Sequence, residues 1–200
     1  GAQHDLASRM SQTLKPLLPG STLGVLGGGQ LGRMWAHVAQ RMGYNTAVLD
    51  PDAHSPAGLV SHHHIHTDYL DAAGLKQLAA VCQAVTTEFE NVPAPALITL
   101  GAHRPVAPAA NCVAVAQDRI REKAFFRACN LGDAPYAVIE SDPDIAQAPA
   151  SLFPGILKRA RFGYDGKGQV KLPTAEADLA AAWSKIGGAV GVLEAWVPFQ

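Results

Sequence analysis

The chain has 200 residues, of which 48% are hydrophobic and 16% charged, a balance typical of a globular protein of one large or two small domains. Its 16 basic and 17 acidic residues give a net charge of −1, so the global charge indicates neither nucleic acid nor a membrane surface as a partner. The cysteines Cys82, Cys112 and Cys129 lack a CxxC spacing, which argues against a disulfide framework or a zinc site, and we expect them to be small core residues. With no signal peptide and no apolar run near the roughly 20 residues that cross a bilayer, the expected location is cytoplasmic.

The chain starts with a polar segment, residues 1–20, which is expected to be a leader or a short helix. A short apolar strand follows at Thr22 to Leu26 and ends in three consecutive glycines. The next segment predicts a helix from Gln30 to Met42, with Leu31, Met34, Trp35, Val38 and Met42 on one face. A second apolar strand, Asn45 to Leu49, completes a β-α-β unit.

The glycines of this unit, Gly27, Gly29 and Gly32, have the spacing of the dinucleotide-binding fingerprint, and Asp50 stands where that fingerprint has its ribose-binding acid. Other anions also bind at the N-terminus of a helix that follows such a turn. The same glycines also allow a tight turn and close packing of helix on strand. NAD(P), another anionic ligand and a purely structural turn therefore remain open at this point.

Two polar clusters follow the β-α-β unit. The first, His62 to His66, suggests either a metal site or a strand with alternate residues in solvent, and the nearby acids complete no metal-ligand spacing, which favours the strand. The second, Glu88 and Glu90, follows a short strand at Ala84 to Thr87. These two acids are either ligand-binding groups at the carboxyl edge of a parallel sheet or an acid pair at a helix N-terminus.

The organisation changes after a charged helix predicted from Asp118 to Cys129, whose exposed face is expected to carry Arg119, Arg121, Glu122 and Lys123. Beyond it the pattern predicts a β-rich module with one helix. Its strands are expected at Tyr136 to Ile139, Gly155 to Lys158, Gln169 to Leu172 and Val190 to Trp196, and its helix at Ala175 to Ile186. The predicted class is therefore α/β with two domains.

One stretch of this module, Ile156 to Gln169, combines cations with glycines. Lys158, Arg159 and Arg161 lie within four positions, and glycines follow at 163, 166 and 168. Glycine-rich loops let backbone N–H groups approach an anion closely, so the stretch suits a polyphosphate. The alternative is a solvated β-hairpin with ordinary surface cations.

Four sequence blocks, taken together and in order, resemble the N5-carboxyaminoimidazole ribonucleotide synthase family of the ATP-grasp superfamily. They are Gly27-Gly28-Gly29-Gln30-Leu31-Gly32-Arg33-Met34, Thr87-Glu88-Phe89-Glu90-Asn91-Val92-Pro93, Gln117-Asp118-Arg119 with Glu122-Lys123, and Gly163-Tyr164-Asp165-Gly166-Lys167-Gly168-Gln169. The resemblance implies a Rossmann-like, parallel-sheet pre-ATP-grasp domain followed by the small α+β lid subdomain of an ATP-grasp domain. On this basis we divide the chain into the leader, a pre-ATP-grasp domain at 21–116, a connecting helix at 117–133 and the lid subdomain at 134–200.

The resemblance also implies a reaction, in which a ligase carboxylates 5-aminoimidazole ribonucleotide with bicarbonate in purine biosynthesis, using ATP and Mg²⁺ through a carboxyphosphate intermediate. Lys158 and Lys167 are the implied catalytic residues. The implied ATP-binding residues are Arg119, Lys158, Gly163, Tyr164, Asp165, Gly166, Lys167, Gly168, Gln169, Glu194, Ala195, Trp196 and Val197. The implied residues for the second substrate are Gly29, Gln30, Leu31, Glu88, Tyr164, Asp165 and Lys167, the last replacing an arginine of many relatives.

The family's Mg²⁺-binding acids lie in a C-terminal part that this chain lacks, so no metal ligand is expected here, and the piece alone is not expected to turn over. The resemblance implies a homodimer for the full-length protein. Two alternatives are kept: a formate-dependent glycinamide ribonucleotide transformylase, another ATP-grasp enzyme, and an NAD(P)-dependent oxidoreductase. Gln30 and Leu31, with Tyr164 and Asp165, favour the carboxylating enzyme over the first.

Overall fold

A computed structural model describes residues 16–163, 168–174 and 177–198. The chain divides into two compact units, Gly1–Pro108 and Ala109–Gln200. Residues 1–15 of the predicted leader lie outside the described residues, as do four residues of the glycine loop, Tyr164 to Lys167.

The first unit is built on a parallel sheet. Its strands are β1 (Thr22–Leu26), β2 (Asn45–Asp50), β3 (His63–His66) and β4 (Ala84–Thr87), in the order β3-β2-β1-β4. Within it, Gly24 of β1 lies opposite Ala47 on one side and Val85 on the other. Because all the strands are parallel, the residues that follow β1, β2 and β4 lie at the same edge of the sheet. The strand order β3-β2-β1-β4 places β2 on one side of β1 and β4 on the other, so the topological switch point lies between β1 and β4.

Helices pack around this sheet. They are α1 (Gln30–Arg41), α2 (Ala72–Val81) and α3 (Ala94–Gly101), with a 3-10 turn at Gly58–Val60. Helix α2 begins after Asp71, whose carboxylate accepts a hydrogen bond of 2.7 Å from the Gly74 N–H, the usual way for an acid to cap a helix. The core of the unit is made of aliphatic residues such as Leu26, Leu49, Leu78 and Leu97, none of which is exposed.

The predicted apolar face of α1 lies at the surface. Leu31, Met34, Val38 and Met42 are each more than half exposed, whereas Trp35 is half-buried against the core. The buried face of α1 consists of the small residues Gly32, Ala36 and Ala39, which let the helix approach the sheet closely. The helical spacing of the large apolar residues therefore predicted the helix correctly, but not the face of it that packs on the sheet.

The second unit combines helices with an antiparallel sheet. Its helices are α4 (Ala110–Ala116), α5 (Arg119–Ala128), α6 (Asp142–Ala146) and α7 (Leu179–Lys185), and its strands are β5 (Tyr136–Ile139), β6 (Gly155–Arg159), β7 (Gln169–Leu172) and β8 (Gly191–Ala195). The strand order is β5-β8-β6-β7. Its core joins Ile139, Leu157, Leu193 and Ile186, which are buried together.

Two expectations about burial are wrong. Lys123 was expected on the exposed face of α5 but is buried, because α5 presents it toward acids of its own unit. Of the three cysteines expected in the core only Cys82 is buried, and its burial raises the pKa of the thiol to about 12; Cys112 and Cys129 are exposed.

The helix predicted at Ala175 to Ile186 is shorter than expected. It begins only after Asp178, whose carboxylate caps it by accepting a 2.8 Å hydrogen bond from the Ala181 N–H, and the predicted start at Ala175 lies outside the described residues. Across the described part of the chain, each helix is too short or too polar to cross a bilayer.

Candidate functional site

The three-glycine turn joins β1 to α1 at the carboxyl edge of the parallel sheet. Gly27 has φ +100°, a conformation that favours glycine, and a side chain at Gly29 would collide with the carboxylate of Glu88. The turn therefore needs glycine both for its conformation and for the close approach of Glu88. This brings together three of the residues assigned to the second substrate: Gly29, Gln30 at the start of α1, and Glu88 after β4.

Two carboxylates bind the N–H groups of this turn. Glu88 Oε2 accepts a 2.6 Å hydrogen bond from the Gly29 N–H, and Asp50 Oδ2 accepts one of 2.7 Å from the Gly28 N–H. Asp50 Oδ2 also accepts a 2.9 Å bond from the Tyr69 hydroxyl, and Asp50 Oδ1 accepts one of 2.8 Å from the Asp52 N–H. The turn is thus held by internal acids.

This arrangement weighs against a dinucleotide at the turn. Asp50 is 8% exposed and already accepts three hydrogen bonds, so it is not presented to a ribose. The N–H groups of Gly28 and Gly29, which would face a pyrophosphate, face carboxylates instead. Burial, followed by the hydrogen bond to Asp50, raises the pKa of the Tyr69 phenol above its usual range, which keeps this hydrogen-bond donor protonated.

The histidine cluster makes local contacts. His62 Nδ1 accepts a 3.1 Å hydrogen bond from the Thr46 N–H, His66 Nε2 lies 3.0 Å from the Pro51 carbonyl oxygen, and His64 Nε2 lies 3.4 Å from Ser55 Oγ. Among the residues that the structure describes, no group of three or more His, Cys, Asp or Glu side chains is arranged to hold a metal ion. The contacts of these rings are all to nearby residues of the first unit.

In the second unit a pocket opens beside β6 and the end of β8. It has a volume of about 190 Å³ and is lined by Ala134, Ile156, Lys158, Glu194, Ala195, Trp196 and Val197. Pairing of β6 with β8 places Ile156 opposite Glu194. The structure thus brings together Lys158 and the four residues from Glu194 to Val197, all of which were assigned to ATP.

The two charged residues of this pocket form an ion pair. Lys158 Nζ lies 2.8 Å from Glu194 Oε2, and the Lys158 side chain is 23% exposed. Charges of opposite sign stabilise each other at this separation, and both side chains line the pocket. The pocket therefore offers one cation for phosphate and an adjoining surface of Ala195, Trp196 and Val197 for a flat base.

Arg119, another residue assigned to ATP, starts α5. Its N–H donates a 2.9 Å hydrogen bond to the Ala160 carbonyl, which joins the start of α5 to the end of β6. The preceding Asp118 caps the helix by accepting a 3.0 Å hydrogen bond from the Ile120 N–H. The Gln-Asp-Arg block thus lies next to the start of the glycine loop.

Both ends of the glycine loop are described. Gly163 follows Phe162, and Gly168, at φ +72°, accepts a 2.8 Å hydrogen bond from the Arg159 N–H through its carbonyl, closing the loop before β7. Gln169 begins β7 and is exposed. The assignments of Tyr164, Asp165, Gly166 and Lys167 lie outside the described residues.

Sequence reasoning missed the burial of Lys123 and its contacts with acids. Its Nζ lies 3.6 Å from Glu194 Oε1 and 3.6 Å from Asp133 Oδ2, and it donates a 3.3 Å hydrogen bond to the Ala134 carbonyl. Glu194 therefore contacts one lysine with each of its two oxygens. In the sequence, Lys123 stands inside one of the four motif blocks. Helical periodicity alone predicts that such a lysine is exposed to solvent.

Comparisons with known proteins agree with this architecture. A family model described as the ribonucleotide synthetase preATP-grasp domain matches residues 21–117, and one described as the ATP-grasp domain matches residues 124–200. The N5-carboxyaminoimidazole ribonucleotide synthase of Brucella melitensis is 41% identical over 186 residues, which are 92% of this chain and 51% of the relative.

Solved structures give the same result. A crystal structure of N5-carboxyaminoimidazole synthetase from Staphylococcus aureus complexed with ADP has a TM-score of 0.86 and 35% identity, covering 94% of this chain and 50% of that one. The Aspergillus clavatus synthase in complex with ADP and 5-aminoimidazole ribonucleotide has a TM-score of 0.80 and 26% identity, covering 92% and 48%.

The predicted fold class is confirmed: a Rossmann-like pre-ATP-grasp domain followed by part of an ATP-grasp domain. The chain spans about half the length of the curated relatives it matches. It carries a ribonucleotide synthetase preATP-grasp domain followed by part of an ATP-grasp domain, and it is similar along most of its length to N5-carboxyaminoimidazole ribonucleotide synthases.

Proposed function

We propose that this chain is the part of a cytoplasmic ATP-grasp ligase that binds ATP in its second unit and contributes to 5-aminoimidazole ribonucleotide binding in its first. The whole protein would carboxylate that ribonucleotide with bicarbonate to give N5-carboxyaminoimidazole ribonucleotide, and would act as a homodimer. The observation that carries the proposal is the pocket in which Lys158 adjoins Glu194, Ala195, Trp196 and Val197.

The proposed ATP site follows from the chemistry of this pocket. An adenine needs a flat apolar surface, for which the partly exposed Trp196 and Val197 are the candidates, and the ribose hydroxyls would donate hydrogen bonds to Glu194. The phosphates need positive charge, for which Lys158 and Arg119 are the described candidates. Lys167 and the glycine loop would complete this site.

Phosphoryl transfer from ATP to bicarbonate depends on positioning and on neutralising charge, and Lys158 would do both for the phosphate it contacts. Mg²⁺, when bound, would supply further neutralisation of the phosphate charge. Among the described residues, no cluster of three or more His, Cys, Asp or Glu side chains is placed to hold it. A glycine loop closed over the phosphates would exclude water from carboxyphosphate, which hydrolyses readily.

The second substrate would lie at the three-glycine turn of the first unit. Glu88 Oε2 accepts a hydrogen bond from the Gly29 N–H, Glu88 Oε1 would accept one from an amino group of the ligand, and the exposed Gln30 would contact a polar group of it. An aminoimidazole with an exocyclic amine suits this pair. Leu31 would border the ligand, with Tyr164, Asp165 and Lys167 as further contacts.

Substitution of Lys158 tests the ATP site. Lys158→Ala removes the cation that we assign to phosphate, so ATP binding to the chain, measured by isothermal titration calorimetry, should weaken at least about tenfold. Lys185→Ala, at the exposed end of α7, is the matched control and should leave ATP affinity unchanged. Equal ATP affinity in the Lys158→Ala variant and the wild type would refute the assignment.

A further inference from the structure

We propose that Lys123 is a positioning residue of the ATP pocket. Its ammonium would keep the charge of the Glu194 carboxylate neutralised through Oε1. Lys158, which contacts Oε2, could then leave Glu194 and bind a nucleotide phosphate. This inference rests on the ATP site proposed above, and it assigns a role to a buried lysine that does not line the pocket.

The geometry places Glu194 between two lysines. Lys158 Nζ lies 2.8 Å from Oε2, and Lys123 Nζ lies 3.6 Å from Oε1. The Lys158 side chain is 23% exposed and lines the pocket, whereas the Lys123 side chain is 9% exposed. Of the two cations, Lys158 is therefore the one that can move to a ligand, and Lys123 is the one that remains.

The movement of Lys158 from Glu194 to a phosphate needs a second cation beside Glu194, because the Glu194 side chain is largely buried, at 13% exposed. A buried carboxylate that loses its only cation is strongly unfavourable, so a Glu194 paired with Lys158 alone would hold that lysine back from phosphate. With Lys123 present, the carboxylate keeps an ion pair after Lys158 has moved. The pocket can then change partners without creating an isolated buried charge.

The groups around Lys123 leave it available for this role. Its other acid, Asp133, also lies 3.7 Å from Arg127 Nε, so Asp133 has a second cation of its own. Within the described ranges, the Lys123 ammonium also contacts the Ala134 carbonyl and the Tyr136 ring, whose centroid is 5.0 Å away. Both are neutral, so the net attraction of Lys123 is toward its two carboxylates.

The test is a pair of affinities in the 200-residue chain. Lys123→Met nearly keeps the side-chain volume but removes the charge, so it should weaken ATP binding about tenfold. The affinity for adenosine, which has no phosphate, should change less than about twofold. Lys185→Met, an exposed substitution of the same kind, should change neither. A merely structural role would lower both affinities together, and that result would overturn the proposal.

A double-mutant cycle separates this role from a long-range effect of charge on phosphate. In a Glu194→Gln background there is no carboxylate to neutralise, so Lys123→Met should have no further effect on ATP affinity. If the tenfold loss persists in that background, Lys123 acts on the phosphates directly and the proposal fails.

Asp133→Asn tests the same proposal without removing Lys123, and it can be used if the Lys123→Met variant does not fold. It keeps the buried lysine and removes the competing acid, so ATP should bind at least as tightly as to the wild type; weaker ATP binding would overturn the proposal. A wild-type chain that binds no ATP would instead refute the ATP site itself, and this inference with it.

Discussion

Asp50 shows how a single residue can fit a ligand-binding fingerprint and still be structural. Its position after β2 matches the ribose-binding acid of a dinucleotide site, but its carboxylate accepts hydrogen bonds from Gly28, Asp52 and Tyr69. Sequence spacing indicates where such an acid lies along the chain. It does not indicate the direction of the side chain, which here depends on Tyr69, 19 positions away.

The Tyr69 hydroxyl gives a prediction at this scale. Tyr69→Phe removes a hydrogen bond to a buried carboxylate, and bonds to charged groups contribute about 1.5–3 kcal/mol. Tyr44→Phe is the matched control, since its hydroxyl donates a 2.9 Å bond to the neutral Leu17 carbonyl, a kind of bond that contributes about 0.5–1.5 kcal/mol. Urea denaturation should show the larger loss of unfolding free energy for Tyr69→Phe. The reverse order would contradict the role given to Asp50.

Among the elements, the helix after the glycine turn is the most informative. Helix α1 packs on the sheet through Gly32, Ala36 and Ala39 and leaves its large apolar residues at the surface. Small residues allow close approach between helix and sheet, which a search for large apolar side chains does not detect. The buried face of α1 is therefore set by tertiary packing.

Substitutions on the two faces of α1 test this orientation. Ala36 is fully buried, so Ala36→Leu should overpack the interface and lower the unfolding free energy by about 1–3 kcal/mol. Met34 is 63% exposed, so Met34→Lys should change it by less than about 0.5 kcal/mol. Chemical denaturation measures both. A large loss for Met34→Lys with little loss for Ala36→Leu would mean that the helix faces the other way.

The elements also show how far sequence reasoning reached. The strands Thr22–Leu26, Ala84–Thr87, Tyr136–Ile139 and Gln169–Leu172 have the predicted bounds, because each is a short apolar or alternating run between turn residues. Helix α6, Asp142–Ala146, was not predicted, because five residues with a proline carry no helical period.

The candidate site was predictable to a similar extent. Lys158 and the residues from Glu194 to Val197 were assigned by resemblance, and they line one pocket. Lys123 was assigned to solvent, because its burial depends on Asp133 and Glu194, and Glu194 is distant in sequence. The periodicity of a helix does not indicate an ion pair between residues that are far apart in the sequence.

At the scale of the whole molecule, the two proposed substrates would bind to different units. The second unit has a pocket with the charge and apolar surface for ATP, and the first has a glycine turn whose N–H groups already bind carboxylates. The formate-dependent transformylase and the oxidoreductase remain less suited: relatives named as N5-carboxyaminoimidazole ribonucleotide synthases weigh against the former, and the engaged Asp50 weighs against the latter.

A nuclear magnetic resonance titration of the isotope-labelled chain tests this division most directly, with ATP, 5-aminoimidazole ribonucleotide and NADH added to separate samples. We expect ATP to shift the amide signals of Glu194 to Val197, and 5-aminoimidazole ribonucleotide to shift those of Gly29 to Leu31 and Glu88. NADH should leave the glycine turn unchanged. Saturable shifts at Gly27 to Gly32 with NADH, together with no shifts at Glu194 to Val197 with ATP, would contradict the account.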